Sequence, residues 1–296
     1  MLKAKQLFSL IGLFSAGLVC AAEPVNPAWI LVTDFQYRAS DKITHAGGVT
    51  GEFGRSRAGL ELIHQTPEGA IDLEWYQYRH RFSGAVAGTD RSYGDATNLL
   101  VTGFREWAAG AAQAWQLIYG LEWAAEDAAG LSTGFRWGVG GAFRWQPDAE
   151  TEVTLGLVLQ DRFENSPLPI PYIKAVWRPC RFAEVELRTT GLQNGFVIRG
   201  FLTEDRATTV DLTVAYETLS FVLTDGSYGS RAVAIGEVPI RFGLTQFLEP
   251  TGTWFVRGSA EWTAFARHSF QHDGETQGSF QPGGSWGLAA RVGARF

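Results

Sequence analysis

The chain has 296 residues, 45% of them hydrophobic, and carries 31 acidic against 25 basic side chains for a formal charge of −6. That length suits one large domain, and the acidic balance excludes a nucleic-acid partner, which would need cations to neutralise phosphate. Two cysteines are too few for a disulfide-stapled fold.

The first element is an export signal. Lys3 and Lys5 precede an apolar run over 7–19, and the small residues Ala21 and Ala22 come before Glu23 and Pro24. This order predicts a secretory signal at 1–22 cleaved after Ala22, and the run is too short to cross a membrane as a helix. Cys20 raises a lipoprotein alternative, but Val19 stands where that processing takes a small residue. Cleavage leaves one domain, 23–296, with a single thiol at Cys180 and Lys42 and Lys174 as its lysines. Arginine suits a barrel lumen because it stays charged and pairs with carboxylates where hydration is limited; a GC-rich genome would give the same bias.

After the signal no apolar run is long enough for a membrane helix, so apolar side chains facing lipid must sit at every second position of strands. Trp115, Leu117, Tyr119, Leu121 and Trp123 share one face, against Gln116, Gly120 and Glu122. Phe135, Trp137, Val139, Phe143 and Trp145 oppose Arg136, Gly138, Gly140 and Arg144. Leu155, Leu157 and Leu159 oppose Thr154, Gln160 and Arg162, and further on Trp254, Val256, Ala260 and Trp262 oppose Arg257, Ser259 and Glu261. Aromatics at the ends of such faces match the girdles where a barrel meets the two bilayer interfaces. A soluble β-sandwich also alternates, but lacks the aromatic ends and the closing pattern described next.

At the carboxyl end Trp286, Leu288, Ala290, Val292, Ala294 and Phe296 occupy every second position. This resembles the last strand of outer-membrane barrels, and the resemblance implies that Phe296, Ala294 and Val292 carry the signal read by the barrel assembly machinery. In all, strands are expected near 28–39, 50–64, 69–82, 96–108, 112–124, 132–145, 150–163, 170–177, 182–190, 194–203, 207–224, 231–246, 253–268 and 283–296. Tight turns alternate with longer links at 40–49, 83–95, 125–131, 164–169, 190–194, 225–230 and 269–282, as periplasmic turns alternate with extracellular loops. The expected fold is an all-β, transmembrane, antiparallel up-and-down barrel of about 14 strands with both termini periplasmic. Thr208 to Thr224 changes phase near Glu217; a bulge there keeps fourteen strands, and merging short strands would give twelve.

The second half, from about Trp145, also resembles an uncharacterised outer-membrane β-barrel family of Gram-negative bacteria, a domain of unknown function. The matching features are Pro167-Leu168-Pro169-Ile170-Pro171 leading to Trp177-Arg178-Pro179, the Asp225-Gly226-Ser227-Tyr228-Gly229 loop, and the 260–268 strand leading to Asp273-Gly274. The resemblance implies the fold and the outer membrane of a Gram-negative bacterium, and no activity.

For chemistry the chain offers five histidines, His45, His64, His80, His268 and His272. His268 and Ser269 point to opposite faces of a strand, while His80 and Ser83 could approach at a strand end. His268, His272 and Asp273 fall in the last long link and could converge on a divalent ion, but solvated loop residues are the simpler reading, so neither metal nor cofactor is expected. A barrel enzyme is therefore the third reading.

The inward faces say more. Candidate pore-lining residues are Glu122, Arg136, Arg144, Glu152, Arg162, Glu237, Arg241, Arg257, Glu261, Arg291 and Arg295, with Arg38, Arg57, Arg267, Asp34, Glu61, Asp72, Glu74, Asp211 and Glu217 among other inward charges. Opposed charges on a wet wall make a passive porin-like channel for small polar solutes; the same charges paired across the interior make a non-conducting structural or surface-binding barrel. The expected partners are outer-membrane lipid, the assembly machinery and those solutes.

Overall fold

The computed structural model describes residues 28–45, 48–84, 93–127, 129, 133–163, 165–189, 193–224, 230–249 and 253–296. The export signal, the 225–229 loop and residues 250–252 lie outside them.

Among the described residues all regular structure is strand: β1 (Ala28–His45), β2 (Gly48–Thr66), β3 (Gly69–Gly84), β4 (Ala96–Gly110), β5 (Gln113–Glu126), β6 (Phe135–Trp145), β7 (Thr151–Arg162), β8 (Asn165–Cys180), β9 (Ala183–Thr189), β10 (Gln193–Phe201), β11 (Thr208–Val222), β12 (Ala232–Phe247), β13 (Trp254–His272), β14 (Glu275–Pro282) and β15 (Ser285–Arg295). From β1 to β14 each strand pairs antiparallel with the next in the chain, and β1 closes on β15 from Ile30↔Arg295 to Arg38↔Gly287. Closure satisfies every edge, which the bilayer demands because lipid offers the backbone no hydrogen-bond partner.

β14 and β15 together form one stave. β14 pairs with β13 through His268↔Phe280 and touches β1 at Ile43↔Pro282, and β15 continues the pairing with β13 from Thr263↔Ser285 to Trp254↔Ala294. At the break the Gly283 amide donates to the Lys42 carbonyl at 2.9 Å, and a Cβ on Gly283 would stand 2.7 Å from the Asp41 carboxylate. The barrel thus has fourteen staves, the last interrupted. The twelve-strand alternative fails because β9 and β10 pair separately through Asn194↔Thr189 to Gly200↔Ala183.

Three expected links are shorter than the sequence suggests. Most of 40–49 belongs to β1 and β2, most of 164–169 to β8, and 269–282 is the end of β13, a two-residue turn and β14. These hairpin ends lie above the lipid, so their outward residues, such as Ser40, Lys42 and Thr44, carry no apolar signal. The turn is Asp273-Gly274, with φ of 48° and 81°, the two left-handed residues that a tight hairpin takes.

β11 needs no bulge at Glu217, since its register with β12 runs unbroken from Thr208↔Gln246 to Val222↔Ala232. Asp211, Thr213, Ala215, Glu217 and Phe221 all lie on its inward side; the change of phase in the sequence is a change of lumen chemistry from charged to apolar. The irregularity sits one hairpin later, where Val238↔Phe265 gives way to Pro239↔Thr263 and the extra residue inverts β13. Below it Arg257 and Glu261 face inward; above it Ala266, His268 and Phe270 do.

The outer wall carries the exposed apolar residues. Trp29, Trp115, Trp145, Trp177, Trp254 and Phe296 mark the end holding the tight turns, and Trp75, Phe135, Trp262 and Trp286 the other, with Leu60, Leu73, Leu121 and Leu157 between. Two aromatic girdles flanking an apolar band are the signature of a lipid-embedded barrel.

Candidate functional site

The lumen is layered. At the periplasmic end Arg257 on β13 forms a fork with Asp211 on β11 at 2.5 and 2.8 Å. Arg144 holds Glu106 at 2.8 and 2.6 Å, Arg199 bridges Glu184 and Glu186 at 2.5 and 2.9 Å, and Lys174 stands 3.5 Å from Glu152. The three arginine side chains keep 23–26% of their surface. Beside Arg144 opens a cleft of about 330 Å³, floored by Glu106 and Gln146 and walled by the alanines of the 108–114 turn.

One level higher, Arg241 grips both Glu217 and Glu261, the latter at 2.5 Å, while Asp34 is shared by Arg57 at 2.7 Å and Arg291 at 3.3 Å, and Arg291 also holds Glu61. Asp72 on β3 and Thr102 on β4 are register partners, both buried, whose side-chain oxygens lack hydrogen-bond partners. Across the barrel, Arg136 donates to Glu122 at 2.5 Å and lies 4.5 Å from the Phe163 ring, and both charged side chains are only 2% exposed.

Next comes a chord. Arg38 on β1 reaches Glu237 on β12 at 2.5 Å and Glu261 on β13 at 2.6 Å, and Arg55 on β2 reaches Glu237 at 3.0 Å. All four side chains are 7% exposed or less. Buried charge is tolerated here because each carboxylate meets at least one guanidinium fork.

Above the chord the interior turns apolar. Phe53, Tyr78, Phe221, Ile235, Phe270 and Phe280 form one buried cluster. His268 is wholly buried within it, stacked on Phe280 at 4.4 Å and met edge-on by Phe53 at 4.6 Å. Its Nδ1 lies 2.7 Å from the hydroxyl of Tyr93, which hangs into the barrel from the segment between β3 and β4. The same segment is anchored on His80, whose Nδ1 donates to the Gly94 carbonyl at 2.8 Å and whose backbone amide donates to Asp95 at 3.0 Å. Val222 pairs with Ala125 of β5, a strand that is not its neighbour around the wall, and the Thr224 amide donates to Glu126 at 2.8 Å. The wall is therefore drawn together across its extracellular end.

Several sequence expectations change. His268, His272 and Asp273 do not sit in a long loop: His268 belongs to the apolar cluster, while His272 and Asp273 meet at 3.4 Å at the hairpin tip, and no metal-holding group occurs among the described residues. His80 and Ser83 lie on opposite faces of β3, so the strand-end pairing does not form. Arg267 is turned outward by the β13 bulge and donates to Ser279 at 3.4 Å. Arg162 sits at the β7–β8 tip, held by the Ser166 carbonyl at 3.0 and 2.8 Å, and Arg295 is exposed at the periplasmic rim. At the seam Phe296 exchanges backbone hydrogen bonds with Trp29 at 2.8 and 2.9 Å, and Ala294 and Val292 pair with Leu31 and Thr33.

The apolar cluster was missed because inward positions were assumed polar. The available signal was parity: Phe221 continues the inward series of Asp211 and Glu217.

No family model matches the sequence, and no curated protein matches it. Among solved structures, an outer membrane channel from Pseudomonas putida F1 overlaps at a TM-score of 0.45 with 11% identity, covering 94% of this chain and 100% of that one. The toluene transporter TodX of P. putida gives 0.46 with 9% identity over 92% and 90%, and the KdgM porin 0.33 with 9% over 88% and 97%. These structural neighbours are outer-membrane β-barrels, and the overlaps are too loose to carry an inference about solute or activity.

Proposed function

We propose that the protein is a porin-like channel for small polar solutes in the outer membrane of a Gram-negative bacterium, here in a closed form. The observation that carries this reading is the gradient of wetness along the lumen. Arginines at the periplasmic end keep about a quarter of their surface, those of the chord at most 7%, and His268 none. A barrel built only to be filled has no need of a charged, hydrated vestibule; a channel needs one, and an apolar constriction closes it by excluding water. Nearly balanced charges on the vestibule wall would pass ions of both signs with weak selectivity. The periplasmic ends of the strands would face the assembly machinery, with Phe296, Ala294 and Val292 as the segment it reads.

The second reading is a non-conducting structural barrel, favoured by the chord from Arg38 and Arg55 to Glu237, which ties the inner faces of β1, β2 and β12 together through buried charge pairs. Planar-bilayer recordings separate the two. Wild type should show rare, small steps, and Tyr93→Ala with His268→Ala, which opens the apolar layer and leaves the vestibule intact, should raise open probability at least ~10-fold, a shift of about 1.4 kcal/mol in the closed–open equilibrium. Silence from both proteins, each heat-modifiable and so folded, would establish the non-conducting reading.

A further inference from the structure

Above the lipid band the outer wall carries a basic stretch on β3. Outward positions on β3 run Ile71, Leu73, Trp75, Gln77, Arg79 and Arg81, apolar as far as the girdle and basic beyond it. Arg81 is pinned there: its guanidinium lies 4.8 Å from the Tyr37 ring and donates to the Arg38 carbonyl at 3.1 Å. Arg79 is exposed, and among the described residues no carboxylate pairs with either. Arg267, turned outward on β13, and exposed Lys42 on β1 continue the band over adjoining staves, above Trp262, Trp286, Tyr37 and Trp75. Glu52, the register partner of Lys42, stands beside it. Asp127, at the end of β5, stands at the edge of this face, where its carboxylate accepts from Gln77 at 2.8 Å and from Thr97 at 2.9 Å.

The periplasmic rim differs. There the outward Arg105 is paired with Glu68 at 3.2 Å and Arg181 with Glu204 at 3.0 Å. Arg105 and Arg181 are thus paired within the protein, whereas Arg79 and Arg81 are left for an external anion.

We propose that the β13–β3 face is a docking surface for a phosphorylated glycolipid of the outer leaflet, its phosphates held by Arg79 and Arg81 and its acyl chains by the apolar wall below. A guanidinium fork matches phosphate with two parallel hydrogen bonds, and a ring beneath it removes part of the ordering cost. The partial dehydration of the interface strengthens such a pair relative to bulk water. The proposal rests on the outer-membrane placement and is independent of conduction.

The test uses the folded full-length barrel in detergent, with bisphosphorylated lipid A as probe and bound lipid counted by native mass spectrometry. Arg79→Gln and Arg81→Gln should each weaken binding about fivefold and the pair about 25-fold, as expected for basic residues at an anionic membrane surface. Arg79→Lys with Arg81→Lys should recover only part of the affinity, since lysine restores the charge without the fork, and Arg105→Gln at the opposite rim should leave it unchanged. Equal binding of dephosphorylated lipid A, equal binding of phosphatidylglycerol, or an unaffected double variant would each overturn the proposal.

Discussion

Glu237 receives Arg38 and Arg55 in a part of the lumen where neither guanidinium reaches water, so its removal strands the buried charge of Arg55 and leaves Arg38 with Glu261 alone. Glu237→Ala is expected to cost about 3–5 kcal/mol, whereas Glu68→Ala, which breaks the exposed pair with Arg105, should cost about 0–1 kcal/mol. Urea unfolding in lipid vesicles, followed by tryptophan fluorescence, measures both; equal losses would mean that the chord is hydrated. Asp72 should behave oppositely. Its carboxylate is buried beside those of Glu61 and Glu74. Asp72→Asn removes that repulsion and supplies donors, so it should be neutral or stabilising, and a loss above about 1 kcal/mol would show that the carboxylate has a use. Period two makes the inward direction of such residues readable from sequence. Their partners are not: Arg38 meets Glu237 through the curvature of the closed wall, a property of the closed wall that no local pattern records.

Individual strands were the most legible elements, because an outward apolar face is imposed by lipid one residue at a time. Leu157, mid-strand on β7, and Leu202, in the turn after β10, are both exposed leucines, at 54% and 61%. Leu157→Arg places a charge near the bilayer midplane and should cost about 2–4 kcal/mol; Leu202→Arg sits at the interface and should cost about 0–1 kcal/mol. Similar penalties in the same unfolding assay would put the apolar band at the wrong height. Thr154 is no neutral control for a charge, since it is 2% exposed and opposite Arg144 and Lys174. Elements went unread where lipid imposes nothing. The prolines at 167, 169 and 171 look like a link, yet β8 runs through them, pairing with β7 at Leu157↔Pro171 and Leu159↔Pro169. The two-residue hairpin at Asp273-Gly274 was hidden for a related reason: the strands it joins stand above the membrane and turn aromatic residues inward.

The whole molecule depends on a seam between its first and last strands, and there thermodynamics and assembly can be told apart. Phe296 contributes two backbone hydrogen bonds to Trp29, while the seam from Ile30↔Arg295 to Arg38↔Gly287 remains without it. At about 0.5–1.5 kcal/mol for each bond, deleting Phe296 should lower the equilibrium stability of purified, refolded barrel by about 1–3 kcal/mol. If this residue ends the segment read during assembly, the same deletion should cut the heat-modifiable protein in the outer membrane of living cells far more than that loss explains, about tenfold or more. Comparing refolding yield in vesicles with the folded fraction in isolated outer membranes gives both numbers for one variant. Normal insertion in cells would end the assembly role of Phe296 and leave it a girdle residue; equal failure in vesicles and cells would make the seam itself, and not its recognition, the limiting step.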